Sequence, residues 1–212
     1  MADELLWRFL AYGAALVAIV WVLRRRGQRA AGVLAALPVL SAPALFTLSF
    51  AHDPALAAAA AVAALHATGL TAALVLLFGL ARRPLGMPMA LVFGTLGALL
   101  VAHLTCGVGT DLVSSLASTA SIVLAARRYL PRLGGLEGPV CRFLRGYLDG
   151  LLVRIAFLTV LATTLAPLGG WLAFALALLA GSTVLIAITA DQAGGGAGGV
   201  PGGSATTLAE RS

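Results

Sequence analysis

Long, nearly uninterrupted apolar stretches dominate this chain, and an arginine follows every second one. Seven stretches approach the ~20 residues that a helix needs to cross a hydrocarbon layer. They cover 5–23, 30–50, 55–81, 87–104, 108–126, 148–168 and 171–190. Each is apolar throughout rather than in alternation, which predicts helices and not the shorter, alternating strands of a barrel. Of the 212 residues, 60% are hydrophobic and 10% charged, with a mean hydropathy of +1.01. A water-soluble domain carries roughly 25% charged residues, so this chain has too little polar surface to cover a soluble particle. The expectation is an all-α, polytopic membrane helix bundle of about seven transmembrane helices over 1–190, with a Gly-rich, disordered cytoplasmic tail over 191–212.

Arginine placement tests the count. Arg24, Arg25, Arg26 and Arg29 follow the first stretch, and Arg82 and Arg83 follow the third. Arg127, Arg128, Arg132, Arg142 and Arg145 follow the fifth, and Arg211 lies in the tail. If seven helices alternate, all of these fall on one side. The positive-inside rule then puts the N-terminus outside and the C-terminus in the cytoplasm of an inner (plasma) membrane. The fifth stretch is the least apolar, yet without it the later arginines would change sides. The first stretch has acidic Asp3 and Glu4 ahead of it and arginines behind it, so it reads as a retained span and not a cleaved leader.

The same features exclude several functions. The net charge of +6 is distributed between spans and not on one soluble basic face, which argues against nucleic acid. Every one of the 14 basic residues is arginine, so lysine Schiff-base chemistry and the phosphate-gripping lysine of a P-loop are absent. Cys106 and Cys141 fall on opposite sides of the predicted bilayer, too far apart to pair within one chain. No zinc-type spacing occurs, and the residues imply neither a cofactor nor a catalytic centre. His52, Asp53, His103, Cys106 and Asp111 gather near the outer side without forming a recognised ligand motif. Gly107-Val108-Gly109-Thr110-Asp111 resembles the Gly-x-Gly-Asp signature of intramembrane aspartic proteases with one residue too many. Asp149, the obvious second carboxylate, falls on the other side, so the two cannot share a proton.

Polar positions inside apolar spans are the functional candidates. Asp111, Ser114, Ser115, Ser118 and Ser121 fall on one arc of the fifth helix. They fit either a wall of a solute or proton path or close helix–helix packing through small hydroxyl residues. Pro38 and Pro43, with Ser41 between them, predict a kinked or locally opened second span. Such a break exposes backbone that binds polar ligands in transporters, although a simple kink is tolerated too. His66 lies near the middle of the third span, as a functional group or as a neutral histidine bonded to a carbonyl. Asp53-Pro54 places a cap and a first-turn proline at that span's start. Residues 136–150 fit a short basic amphipathic helix on the membrane surface or an irregular loop. Leu5–Leu10 and Leu151–Ala156 share a pattern around Arg8 and Arg154, consistent with an inverted repeat or with two snorkelling arginines.

Residues 31–39, Ala-Gly-Val-Leu-Ala-Ala-Leu-Pro-Val, follow an arginine-flanked span and precede His52. This segment resembles the apolar segment of GlpM-type bacterial inner-membrane proteins, over residues 8–80. The resemblance implies a small multi-pass inner-membrane protein linked to exopolysaccharide production, and carries over no catalytic residues. The leading expectation is a small permease or transporter-like protein in contact with the lipid bilayer. The alternative is a non-catalytic membrane subunit or assembly factor, working as a homo-oligomer or with a partner subunit. An enzyme acting on lipid is third, because it lacks the clustered ligands and acids that such chemistry needs.

Overall fold

The computed structural model describes residues 13–14, 17–18, 20–38, 41–51, 53–105, 111–130 and 138–195. All regular structure among them is helical. Helix α1 covers Gln28–Ala36 and α2 Ser41–Ala51. Helix α3 covers Pro54–Arg82 and α4 Pro84–Thr105. Helices α5, α6 and α7 cover Leu112–Tyr129, Pro139–Leu168 and Gly170–Gly195. Most of the predicted first span, His52, Cys106–Thr110 and the end of the tail lie outside the described residues.

Five segments are long and apolar enough to cross a membrane: 28–50, taking α1 and α2 together, then α3, α4, α6 and α7 up to Ala190. The expected count of about seven is reached there only in part. Most of the predicted first span lies outside the described residues. Helix α5 forms where the fifth span was expected, but its serines and terminal arginines keep its hydropathy below that of the other five.

The chain folds back and forth between two ends. Helical turns run almost unbroken from Pro54 to Thr105, but Gly86 (φ 72°, ψ 177°) lies between Pro84 and Pro88 and reverses the direction. Only glycine takes that φ without strain. Helix α4 then returns along α3, where Gly94 lies against the backbone of Leu74 and Phe78. A second glycine, Gly169 (φ 75°), separates α6 from α7.

Helix α6 is the centre of the bundle and packs on α1, α3, α5 and α7. Leu144, Leu148, Leu151, Ile155, Leu158 and Leu165 are buried along one side of it at intervals of three, four or seven residues. Helix α3 meets this core with a smaller series, Ala57, Ala61, Leu65, Thr68 and Ala72, each fully buried. Leucine on one helix against alanine on the other brings the two axes close and leaves few voids.

Residues 139–150 form neither a separate surface helix nor an irregular loop. They are the first turns of α6, which starts nine residues before the expected span. The reason is α1. A Cβ at Gly32 would fall on the Phe143 carbonyl oxygen, and one at Gly146 on the Arg29 carbonyl oxygen. With glycines at Gly32, Gly146 and Gly150, the two backbones touch, and α6 stays helical beyond its apolar stretch by packing on a neighbour. Outward, α4 presents Met89, Val92, Phe93, Leu96, Leu99 and Leu100, all about half exposed or more. Such a continuous apolar belt fits contact with lipid and not with water.

Candidate functional site

The predicted break in the second span exists, and Pro38 forms it. Helix α1 ends at Ala36 and α2 starts at Ser41, with Pro38 in the turn between. Pro43 makes no break. It lies in the first turn of α2, where a missing N–H costs nothing. The break lies near the middle of the 28–50 stretch. Ser41 Oγ is buried beside it with no hydrogen-bond partner among the described residues. A cavity of about 250 Å3 opens against the break, bounded by Pro38, Ala42, Val153, Phe157, Gly181 and Ser182. Helices α6 and α7 thus close what the broken helix leaves open. The lining is largely apolar, with the Ser182 hydroxyl as its one side-chain hydrogen-bonding group.

The polar arc of α5 does not line that cavity. Asp111 caps the helix from just outside it: the Ser114 N–H donates to Oδ2 at 3.1 Å, and the Ser114 hydroxyl also donates to the carboxylate. These bonds, the hydroxyl's first, hold the exposed Asp111 carboxyl below its ordinary value of 3.8. Ser115 is buried, Ser118 Oγ donates to the Ser115 carbonyl at 3.1 Å, and Ser121 is exposed. Thr119, which the sequence analysis passed over, is the interhelical contact on this face. It is 1% exposed, and its hydroxyl donates across to the Leu65 carbonyl of α3 at 3.1 Å. Gly69 leaves room for it, since a Cβ there would come within 2.8 Å of Thr119 Oγ1.

His66 Nε2 lies 3.2 Å from Thr105 Oγ1, so the partner is the last residue of α4 and not a carbonyl. Thr105 directs its own hydroxyl proton to the Val101 carbonyl at 2.8 Å. Its oxygen is then free to accept from His66 Nε2–H. The pair links α3 to α4. His103 is exposed. Asp53 accepts from the Ala55 N–H at 3.0 Å, the cap expected from Asp53-Pro54. No group of three or more His, Cys, Asp or Glu side chains converges among the described residues.

At the other end of the bundle, Asp149 lies on the side the sequence predicted, but its burial and its arginine partners were not foreseen. It is 2% exposed. Arg29 Nη2 donates to Oδ2 at 2.8 Å, and Arg127 Nε lies 3.3 Å from Oδ1. One carboxylate therefore joins α1, α5 and α6. Asp111 lies sixteen residues before Arg127 along α5, about 24 Å at 1.5 Å per residue. A shared proton between Asp111 and Asp149 is ruled out by that separation.

Compared with known proteins, the chain matches no family model, no curated protein and no solved structure.

Proposed function

We propose that this chain is a small permease-type protein of the inner membrane. In this reading it crosses the bilayer seven times, with the N-terminus outside and the arginine-rich end in the cytoplasm. Its solute is small and mostly apolar, with one hydrogen-bonding group, and it passes the break between α1 and α2. The observation that carries the reading is the cavity at that break, at mid-depth of an apolar span. Interrupted helices at mid-depth are where transporters put their sites, because freed backbone and unpaired hydroxyls can replace a solute's water. Ser182 on the cavity wall would supply that replacement, with Ser41 buried beside the break behind it. In this reading the path does not use the arc of α5: none of its residues lines the cavity, and Asp111, Ser114 and Ser118 are engaged in the cap or in the helix's own backbone.

The test is stopped-flow light scattering on vesicles of phosphatidylethanolamine and phosphatidylglycerol containing the purified chain, challenged with 1,2-propanediol, glycerol and urea. We expect 1,2-propanediol to enter faster than into empty vesicles. Gly181→Val should slow it, because its Cβ would grow into the cavity from a position 3.5 Å from Val153 Cγ1. Entry of all three solutes at the rate of empty vesicles would reject the permease reading and favour the non-catalytic subunit.

A further inference from the structure

The arginine-rich end holds a second cavity, of about 170 Å3, bounded by Arg29, Arg127, Arg145, Leu148 and Asp149. Cavities of ~150 Å3 accept a benzene-sized guest, so there is room here for a tetrahedral anion. Its charge is unbalanced. Three guanidinium groups and one carboxylate line it, which leaves two positive charges in excess. Asp149 is already engaged by Arg29 and Arg127 through separate oxygens. It orients both forks and still neutralises only one of them. Arg145 has no part in those ion pairs, and Arg29 Nε is buried with no partner among the described residues. Buried donors without acceptors are costly, and an arginine fork fits phosphate oxygens two at a time.

We propose that this cavity binds a phosphate group, with Arg145 as the residue that closes on it and Asp149 as the residue that positions the other two arginines. The depth fits that ligand. Asp149 lies nineteen residues before Leu168, the end of α6, so about 28 Å of helix separates it from the opposite end. A hydrocarbon layer is ~30 Å thick, which puts the cavity at the level where lipid phosphates lie. The phosphate belongs either to an anionic lipid headgroup or to a soluble phosphate compound entering from the same side. The proposal is independent of the permease reading, because it uses a different cavity at a different depth.

Thermal unfolding of the full chain in a neutral detergent tests it, with dioleoyl phosphatidic acid, dioleoyl phosphatidylcholine, inorganic phosphate and pyrophosphate as probes. A rise in Tm with phosphatidic acid and with phosphate or pyrophosphate supports recognition of the phosphate group itself. A rise with phosphatidic acid alone assigns the site to a lipid headgroup, and a rise with the inorganic anions alone assigns it to a soluble ligand. Arg145→Gln should weaken the effective probe about tenfold, the loss of one charge-assisted contact. It should leave the probe-free Tm unchanged, because Arg145 holds no ion pair among the described residues. Arg145→Lys should recover part of the affinity. Asp149→Asn is a poor sole test, since it releases two helices at once. The proposal is overturned if no phosphate probe raises Tm above the phosphatidylcholine control, or if Arg145→Gln binds as tightly as the native chain.

Discussion

Asp149 is nearly inaccessible to solvent, and its two partners are not. Arg29 and Arg127 side chains are each 42% exposed, against 3% for the Asp149 side chain. Losing one arginine leaves the carboxylate with the other, and a half-exposed arginine contributes about 1 kcal/mol. Losing both leaves a buried, unpaired charge, which costs about 3 kcal/mol or more. Arg29→Gln and Arg127→Gln should therefore each lower the Tm slightly, and the double variant should lower it by more than their sum. Adding Asp149→Asn to the double variant should recover part of the loss, because it removes the stranded charge. A strictly additive double variant would contradict the shared carboxylate. Asp111 obeys a different rule, because it is exposed and bonded to Ser114. Its carboxyl value is depressed on folding, so its stabilising effect is full above the ordinary value of 3.8 and fades as the pH falls through the lower folded value. The Ser114 amide should lose hydrogen-exchange protection in that acid window. In Asp111→Asn, which keeps a capping acceptor but cannot titrate, protection should not depend on pH there.

At the scale of elements, helices meet through small residues, and the cost of adding a side chain depends on what it strikes. A Cβ at Gly146 would fall on the Arg29 carbonyl, which is backbone and cannot move without α1. One at Gly97 would meet only Leu77 Cδ1, the far end of a flexible side chain. Gly146→Ala should destabilise the bundle by about 1–3 kcal/mol and loosen the Arg29–Asp149 pair, whereas Gly97→Ala should be close to neutral. Thermal unfolding in detergent distinguishes them. Thr119→Val, which keeps the shape and removes the bond to Leu65, should cost about 0.5–1 kcal/mol. Helix positions were legible in the sequence because apolar length is a strong signal: the expected 55–81 and 171–190 stretches lie inside α3 and α7. Pro38 also announced its break. The early start of α6 was not legible, because Arg142 and Arg145 interrupt the apolar pattern while the helix continues on the backbone of α1. Nor was the Asp149 cluster. Its partners are 120 and 22 residues away in the chain, and no local periodicity joins positions so distant. The α5 arc was visible as a pattern, but Asp111 and Ser114 turn to the cap, Ser118 to the backbone, and the contact with α3 falls to Thr119, a choice made by neighbours that a single helix cannot reveal.

Across the whole molecule, the two ends differ in chemistry. Arg29, Arg82 and Arg127 lie at the end where α1 begins and α3 and α5 finish. The opposite end carries an aromatic group in which Phe46, Phe50, Trp171 and Phe174 have ring centroids 4.7–5.4 Å apart. Aromatic rings settle at either face of a bilayer, but arginines are retained on the cytoplasmic side during insertion. This asymmetry makes orientation a matter of charge and not of packing, because the interior of the bundle would be identical either way up. A periplasm-dependent reporter enzyme fused after Arg83 should be inactive, and the same reporter fused after Gly169 should be active. Replacing Arg82, Arg83, Arg127 and Arg128 together with glutamine, while adding arginines beside Gly169, should reduce that difference or reverse it. Apart from the Arg127–Asp149 pair, the core made by α6 would be untouched, so a reversed chain should still unfold cooperatively in detergent. Activity of the Arg83 fusion in the native chain would invert the orientation and move the Asp149 cavity to the outer face of the membrane.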